Sequence, residues 1–304
     1  MIRPPTTILV TLDGSDFAEQ ALAPALAMAS KFGGTLHLLS AVSSLPIFQP
    51  ADPSRDTAPG WFAEEGARAR AYLEKVRNRI LAEDPDRAVV LHLPTGSPAT
   101  VILQAIRDLG ADVVVMTTHG RGALGRAWVG SVTDRVMRES PCPVLLLPTG
   151  ETATFSASIL VPMDASETSE AALNHAAHLA RLWESRLTLV TVIPKPQSVA
   201  VPFLDLSAET ERTRMDREQE MHRYLEARAA PLREQGLRVD TLTARTDEVA
   251  QGIVRLLEQS RSGLVVMGTQ GRGGMARFFM GSVASRMIRI SPVPVMLVPP
   301  PSRI

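Results

Sequence analysis

The sequence predicts an α/β protein built from two tandem copies of one domain, each a five-stranded parallel sheet sandwiched between helices. Two observations support this fold class. Segments of the first half recur in the second half at a constant spacing, and within each half short apolar runs alternate with segments of helical periodicity. Continuous runs of Val, Ile and Leu are typical of strands that are buried on both faces, as they are in parallel sheets.

Three pairs of segments define the repeat, and the members of each pair lie 151 residues apart. They are TILVTLDGS (7–15) with SILVPMDAS (158–166), VVVMTTHGRG (113–122) with LVVMGTQGRG (264–273), and WVGSVTDRVMRESPCPVLLLP (128–148) with FMGSVASRMIRISPVPVMLVP (279–299). Similarity at one fixed spacing indicates a duplicated domain. The join falls in TGETATFSA, which is polar and lacks apolar periodicity, so we place the boundary near Gly150 and expect domains 1–150 and 151–304.

The first strand and helix of the first copy are predicted at 8–12 and 16–31. The strand is a short apolar run, and the helix carries apolar residues on one face, at Phe17, Ala21, Leu22, Ala25 and Leu26. Gly33 is expected to stop this helix. Pro24 lies inside it and is expected to bend it, because proline has no backbone N–H.

The remaining elements continue the alternation. Strands are predicted at 36–42, 88–93, 112–116 and 144–147, and helices at about 63–81, at 97–109 and from Ser131 onward. The second copy repeats this order. Its charge-dense segment 208–236 is interpreted as a solvated helix face, with a partner-docking surface as the alternative.

The composition argues against several classes of partner. Thirty-two basic and thirty-two acidic residues leave no net charge, and no cluster of Lys and Arg indicates a surface for nucleic acid or an anionic membrane. Cys142 is the only cysteine, which excludes an internal disulfide and argues against a cysteine-built metal site. No segment has the length of a membrane span or of a signal h-region. We therefore expect a cytoplasmic protein that binds neither nucleic acid nor membranes.

The stretch THGRGALGRAWVGS (118–131) formally matches the dinucleotide-binding pattern G-x-G-x-x-G, with Gly120, Gly122 and Gly125. In a dinucleotide-binding domain this pattern follows the first strand, whereas here it follows the fourth. The second copy also has Ala276 in place of the third glycine. The pattern is therefore not interpreted as a dinucleotide fingerprint.

Both copies keep a different spacing, namely one glycine, nine further residues and then Gly-Ser: Gly120 with Gly130 and Ser131, and Gly271 with Gly281 and Ser282. A glycine after a parallel strand lets a ligand approach the backbone, and a Gly-Ser pair that opens a helix offers N–H donors and the positive end of the helix dipole. This combination suits a phosphate group. The alternative is that Gly-Ser only caps the helix.

Asp13 and Asp164 each follow the first strand of their copy and precede a small residue and a serine. A carboxylate at this sheet edge can accept hydrogen bonds from ribose hydroxyls or from the adenine amino group. It can equally cap the next helix together with Ser15 or Ser166, so both interpretations stay open.

Several segments resemble the universal stress protein family: VPMDAS at 161–166, MGTQG at 267–271, and GSV at 281–283 followed by SPVPV at 291–295. The resemblance covers both halves of the chain. It implies the Rossmann-like universal stress protein fold, a five-stranded parallel α/β sandwich. In the ATP-binding branch of the family, it also implies a nucleotide held at the carboxyl ends of the strands.

By this resemblance, Asp164 contacts the adenosine and the backbone of Val192 and Met267 flanks the base. The other candidates of the second copy are Pro162, Gly268, Gly271, Arg272, Gly281, Ser282 and Val283, and those of the first copy are Asp13, Met116, Gly120, Arg121, Gly130, Ser131, Val132 and Thr133. The first copy departs from the pattern where Thr117 replaces Gly268 and Thr11 replaces Pro162. A threonine side chain at such a position either crowds the ribose or donates a hydrogen bond to it.

The expected ligand is ATP, with or without Mg²⁺, and nucleotide state is expected to act as a regulatory signal. The P-loop lysine motif is absent, and His119 has Gln270 as its counterpart, so at most slow ATP hydrolysis is expected. The resemblance also implies pairing through the last strands of the sheets, within one chain or in a homodimer. The alternatives are a scaffold that kept the fold and lost the ligand and, more remotely, an adenylate-forming enzyme.

Overall fold

The structure is a computed structural model and describes residues 5–43, 58–118, 129–148, 158–194, 207–271 and 280–301. The chain divides into two compact units, one formed by the first half and the other by the second half. The boundary predicted near Gly150 lies outside the described residues and stays a prediction.

The first unit alternates strands and helices as the sequence predicts. Its elements are β1 (Thr7–Thr11), α1 (Asp16–Glu19), α2 (Leu22–Phe32), β2 (Thr35–Leu39), α3 (Ala58–Glu83), β3 (Val89–His92), α4 (Pro98–Leu109), β4 (Val113–Thr117), α5 (Ser131–Glu139) and β5 (Val144–Leu147).

The second unit repeats the order. Its elements are β6 (Ser158–Pro162), α6 (Glu167–Trp183), β7 (Arg186–Pro194), α7 (Ser207–Glu234), β8 (Val239–Thr246), α8 (Val249–Ser260), β9 (Leu264–Gly268), α9 (Ser282–Ile290) and β10 (Val295–Val298). Strands β6, β9 and β10 are almost entirely buried, as expected for strands covered on both faces.

Each unit has its own five strands in the same order. In the first unit the neighbours run β3-β2-β1-β4-β5, in the second they run β8-β7-β6-β9-β10, and the pairings within each unit are parallel. The predicted α/β fold with two parallel five-stranded sheets is thus confirmed. The winding of the chain reverses between β1 and β4 and between β6 and β9, and such a reversal opens a crevice at the carboxyl ends of the strands.

The first helix of the first copy differs from the prediction. The segment 16–31 forms two helices, because the chain leaves the regular helix at Gln20 and Ala21. Pro24 explains the break, since it has no N–H to donate to the carbonyl oxygen of Gln20. His175 occupies the equivalent position in α6, which continues unbroken from Glu167 to Trp183.

The ends of these helices follow the expected chemistry. The hydroxyl of Ser15 accepts a hydrogen bond from the Ala18 N–H at 3.1 Å, and the hydroxyl of Ser166 accepts one from the Ser169 N–H at the same distance. Gly33 ends α2 with a φ of +63°, which confirms the predicted stop.

The charge-dense segment forms α7, and several of its polar side chains form hydrogen bonds within the second unit. Glu226 accepts a hydrogen bond from Arg233 at 2.6 Å and one from Thr241 at 2.6 Å. These contacts fit the predicted solvated helix face. Among the described helices of both units, none is both long and apolar enough to cross a membrane.

The unfolding free energy of the second unit is expected to fall in acid because of His175. Burial lowers the pKa of His175 to about 4, and the nearby His178 adds to the shift. An unfolded histidine takes up its proton near pH 6.5, so between that pH and pH 4 the unfolded chain binds a proton that the folded chain does not. The stability is complete above this window and declines within it, by at most about 3 kcal/mol.

Urea unfolding at several pH values measures this loss. His175→Gln should flatten the profile between pH 6.5 and 4. If the unfolding free energy falls equally steeply with pH in the wild type and in His175→Gln, the loss of stability does not come from His175.

Candidate functional site

A pocket of about 560 Å³ lies in the second unit, where β6, β7 and β9 end and α9 begins. This is the point where the winding of the sheet reverses, and the volume lies within the range of small-molecule sites, about 300–1,000 Å³. Nine of the ten residues predicted for this half line it: Pro162, Asp164, Val192, Met267, Gly268, Gly271, Gly281, Ser282 and Val283. The tenth, Arg272, lies outside the described residues.

The pocket wall also contains residues that sequence reasoning missed: Met163, Ser169, Val190, Thr191, Val249, Ile253, Thr269, Gln270, Met280 and Ala284. Most are chain neighbours of predicted residues on the same strand end or helix turn. Val249 and Ile253 are different, because they come from the start of α8. Their spacing of four residues is the signal that could have found them, but it also fits an ordinary core-facing pair.

One end of the pocket is apolar, and Gly252 determines how closely α8 covers it. A Cβ atom at Gly252 would lie 2.8 Å from Cγ1 of Val192 and 2.6 Å from Cγ2 of Thr246. Only a glycine therefore allows α8 to pack so closely on the ends of β7 and β8. Together with Val249 and Ile253, Val192 forms a surface that suits a flat apolar group such as a base.

Asp164 has the capping role that the sequence left open, and it also lies at the pocket. Its Oδ1 accepts hydrogen bonds from the N–H of Ser166 at 3.0 Å and from the Ser166 hydroxyl at 2.6 Å, and Ser166 in turn caps α6. The carboxylate also borders the pocket. A Cβ atom at Gly271 would lie 2.8 Å from Oδ2 of Asp164, so the carboxylate faces the glycine that follows β9.

The first turn of α9 presents backbone donors to the pocket. Gly281 is the N-cap, with its N–H bound to the carbonyl of Thr269 at 2.8 Å, and no side chain caps the helix there. The first bond within the helix runs from the N–H of Ser285 to the carbonyl of Gly281. The N–H groups of residues 282–284 have no acceptor within the helix, and all three residues line the pocket. Together with the helix dipole, such N–H groups favour a negatively charged group.

Gly268 sits against the first turn of α6. A Cβ atom there would lie 2.8 Å from Cβ of Thr168 and 3.0 Å from its carbonyl carbon and oxygen. The hydroxyl of Thr168 donates to the carbonyl of Gln270 at 2.5 Å. The end of β9 and the start of α6 are therefore in direct contact beside the pocket.

The first unit has part of the same hydrogen-bonded arrangement. Oδ1 of Asp13 accepts from the N–H and hydroxyl of Ser15 at 3.0 and 2.6 Å, and the N–H of Gly130 donates to the carbonyl of Thr118 at 2.9 Å. Gly130 is the N-cap of α5, so Ser131 and the next two residues lie in its first turn. The turn after the first strand and the Gly-Ser helix start are thus common to both units.

Other candidates of the first unit lie differently or outside the described residues. The hydroxyl of Thr133 is buried and donates to the carbonyl of Thr117 at 3.1 Å, and Met116 is buried in β4. Val132 is half-buried in the first turn of α5. Gly120 and Arg121 lie outside the described residues.

Gly268→Ala is expected to lower the unfolding free energy of the second unit, because the added methyl group must displace the first turn of α6. Overpacking of this kind costs about 1–3 kcal/mol. Gly66→Ala in α3 is the control, since a Cβ atom there meets nothing within 4 Å. It should stabilise its helix by about 0.5–1 kcal/mol. Chemical denaturation of both variants tests this, and a Gly268→Ala protein as stable as the wild type would contradict it.

The chain is similar to known proteins in both halves. The model of the universal stress protein family matches residues 5–148 and again residues 157–299. The universal stress protein Rv2005c of Mycobacterium tuberculosis is 27% identical over 294 residues, which cover 95% of this chain and 96% of that protein.

A solved structure that matches the whole chain gives the same result for the fold. A universal stress protein from Archaeoglobus fulgidus superposes with a TM-score of 0.74 at 18% identity, covering 99% of this chain and 98% of that one. A universal stress protein solved in complex with cAMP is similar to about half of the chain, covering 49% of it and 100% of that structure, at 22% identity and a TM-score of 0.37. With two family matches that together span most of its residues, the chain belongs to the universal stress protein family, as its motifs predict.

Proposed function

We propose that the second unit binds an adenine nucleotide, ATP with or without Mg²⁺, and that its occupancy acts as a regulatory signal in a stress response. The observation that carries this proposal is the pocket where the sheet reverses its winding. It combines an apolar end, one carboxylate and three N–H groups of a helix start. A nucleotide has a part to match each of them: base, ribose and phosphates.

The apolar end would take the base. Val192, Val249, Ile253 and Met267 offer a surface of side chains and strand ends that suits a purine ring. The carboxylate of Asp164 would accept hydrogen bonds from ribose hydroxyls, because its position is fixed by the two donors of Ser166.

The start of α9 would take the phosphates. The N–H groups of residues 282–284 and the positive end of the helix favour a negative group, and Gly271 and Gly281 lack side chains that would block its approach. Mg²⁺, where it accompanies ATP, would be held mainly by phosphate oxygens, which are among its preferred ligands. Arg272 stays a candidate for the same phosphates.

A regulatory signal of this kind needs only binding and release. The bound nucleotide would connect strand ends β6, β7 and β9 with α8 and α9, so that occupancy changes the stability of this edge of the unit. The cytoplasmic location, the homodimer and the pairing of last strands remain predictions of the sequence.

Gly271→Ala is expected to weaken ATP binding. The added Cβ would lie 2.8 Å from Oδ2 of Asp164, so the carboxylate would have to turn, which disturbs its hydrogen bonds to Ser166. Loss of the ribose contact should reduce affinity about tenfold or more. Calorimetric titration of MgATP into the wild type and Gly271→Ala measures the effect, with Gly66→Ala as a control that should bind like the wild type.

The same titration tests the alternative. If the wild type gives no heat and does not displace a fluorescent ATP analogue, nucleotide binding is wrong and the scaffold function stands in its place. If ATP binds and Gly271→Ala binds equally well, the ligand lies elsewhere than at this pocket.

A further inference from the structure

The segment that follows β9 in the second unit, residues 269–271, is bound by the side chain of Thr168. Its hydroxyl donates to the carbonyl of Gln270, the residue before Gly271, across a separation of 102 residues in the chain. Thr168 is only 5% exposed and Gln270 is half-buried, so this hydrogen bond is partly shielded from water. A shielded hydrogen bond holds its partners more firmly than an exposed one.

The hydroxyl of Thr168 has two acceptors within reach. The carbonyl oxygen of Gln270 lies at 2.5 Å and the hydroxyl oxygen of Ser166 at 3.2 Å. Ser166 gives its own hydrogen to Oδ1 of Asp164 at 2.6 Å and accepts from the N–H of Ser169. A hydroxyl has one hydrogen to donate, and that of Thr168 is assigned to Gln270, the nearer acceptor.

The turn that carries Thr168 is fixed from the outside as well. Glu170, two residues later, accepts hydrogen bonds from the hydroxyl of Tyr224 at 2.6 Å and from Nε of Arg228 at 2.7 Å. Both donors belong to α7. Thr168 thus links this helix start to Gln270, the residue before Gly271 of the pocket.

This link depends on Gly268. Because any side chain at 268 would collide with Thr168, the helix start can reach Gln270 only past a glycine. Gly268 and Thr168 are therefore a matched pair, one small residue beside one hydroxyl donor.

The first unit lacks both members of the pair. Thr117 replaces Gly268, and Phe17, which has no group that could donate a hydrogen bond to a carbonyl, replaces Thr168. Its helix start is also only four residues long before the break at Gln20. The carbonyl of Thr117 instead accepts the hydroxyl of Thr133 in α5.

We propose that Thr168 is a positioning residue of the nucleotide site, and that this Thr168–Gly268 pair makes the second unit the one nucleotide-binding unit of the chain. The inference rests on the proposed function and deepens it. The first unit keeps the fold and a related frame but binds no nucleotide, so each chain binds one.

The test is calorimetric titration of MgATP into the full chain and three variants. Thr168→Val keeps the shape and removes the hydroxyl, whereas Thr168→Ser keeps the hydroxyl. Thr188→Val is the matched control, because Thr188 is a buried threonine of the same unit, hydrogen-bonded to Ser158, that does not line the pocket. Thermal unfolding without ligand is recorded for each protein.

We expect one site per chain in the wild type. Thr168→Val should weaken binding about tenfold or more, and Thr168→Ser should stay within about threefold of the wild type. Thr188→Val should bind like the wild type, even where its unfolding temperature falls as much as that of Thr168→Val.

Three results would overturn the inference while ATP binding itself stands. They are two sites per chain in the wild type, wild-type affinity in Thr168→Val, and an equal loss of affinity in Thr168→Val and Thr188→Val, which would mean a purely structural role. An absence of binding in the wild type would overturn the proposed function together with the inference.

Discussion

The contact between the end of β9 and the first turn of α6 is the constraint on which the candidate site depends. Gly268 has no side chain, so Thr168 lies directly on it and reaches the carbonyl of Gln270. The same turn contains Ser166, which fixes the carboxylate of Asp164. The segment 268–271 and the turn 164–166 each contribute to the wall of the pocket. One close backbone approach thus places them relative to each other.

Much of the fold could be predicted because it depends on local patterns. The apolar runs predicted the strands. The helical periodicity, together with Gly33, predicted the first helical segment and its end. The repeat, and the Gly-Ser pairs that open α5 and α9, could be found by comparing the chain with itself. What escaped prediction depends on tertiary distances. Pro24 indicated a bend, but only the structure shows that the helix is interrupted at Gln20 and Ala21.

The candidate site likewise contains residues that local patterns predicted and residues that only the folded structure reveals. Asp164 and the glycines stood out because their residue types are unusual at the end of a strand. Thr168 could not be found in this way, because a threonine in the first turn of a helix is ordinary and its partner Gln270 lies 102 residues away. Gly252 is a similar case, since its importance comes from side chains of β7 and β8 that would lie 2.6 and 2.8 Å from a Cβ atom added there.

The two copies have diverged in compensating steps. In the second unit a valine on the strand, Val192, faces a glycine on the helix, Gly252, whereas at the equivalent positions the first unit has Ala41 and Val101. The larger residue has moved from strand to helix, so the total volume is similar while the surface differs. Cores tolerate such exchanges when volume is conserved. A duplicated domain can therefore keep its stability while one copy changes the shape of its ligand pocket.

If only one of two domains binds a nucleotide, the nucleotide concentration can change the stability of that domain relative to the other. A ligand that binds only the folded form stabilises it by RT ln(1 + [L]/Kd), which is about 2.7 kcal/mol when the free ligand is at 100 times Kd. In the proposed complex this stabilisation acts on the second unit, where the ligand touches α8, α9 and three strand ends. The first unit gains nothing directly, because Phe17 and Thr117 leave it without the matched pair. A change in nucleotide concentration would then alter one unit relative to the other within one chain, and a partner that contacts the second unit could sense that difference.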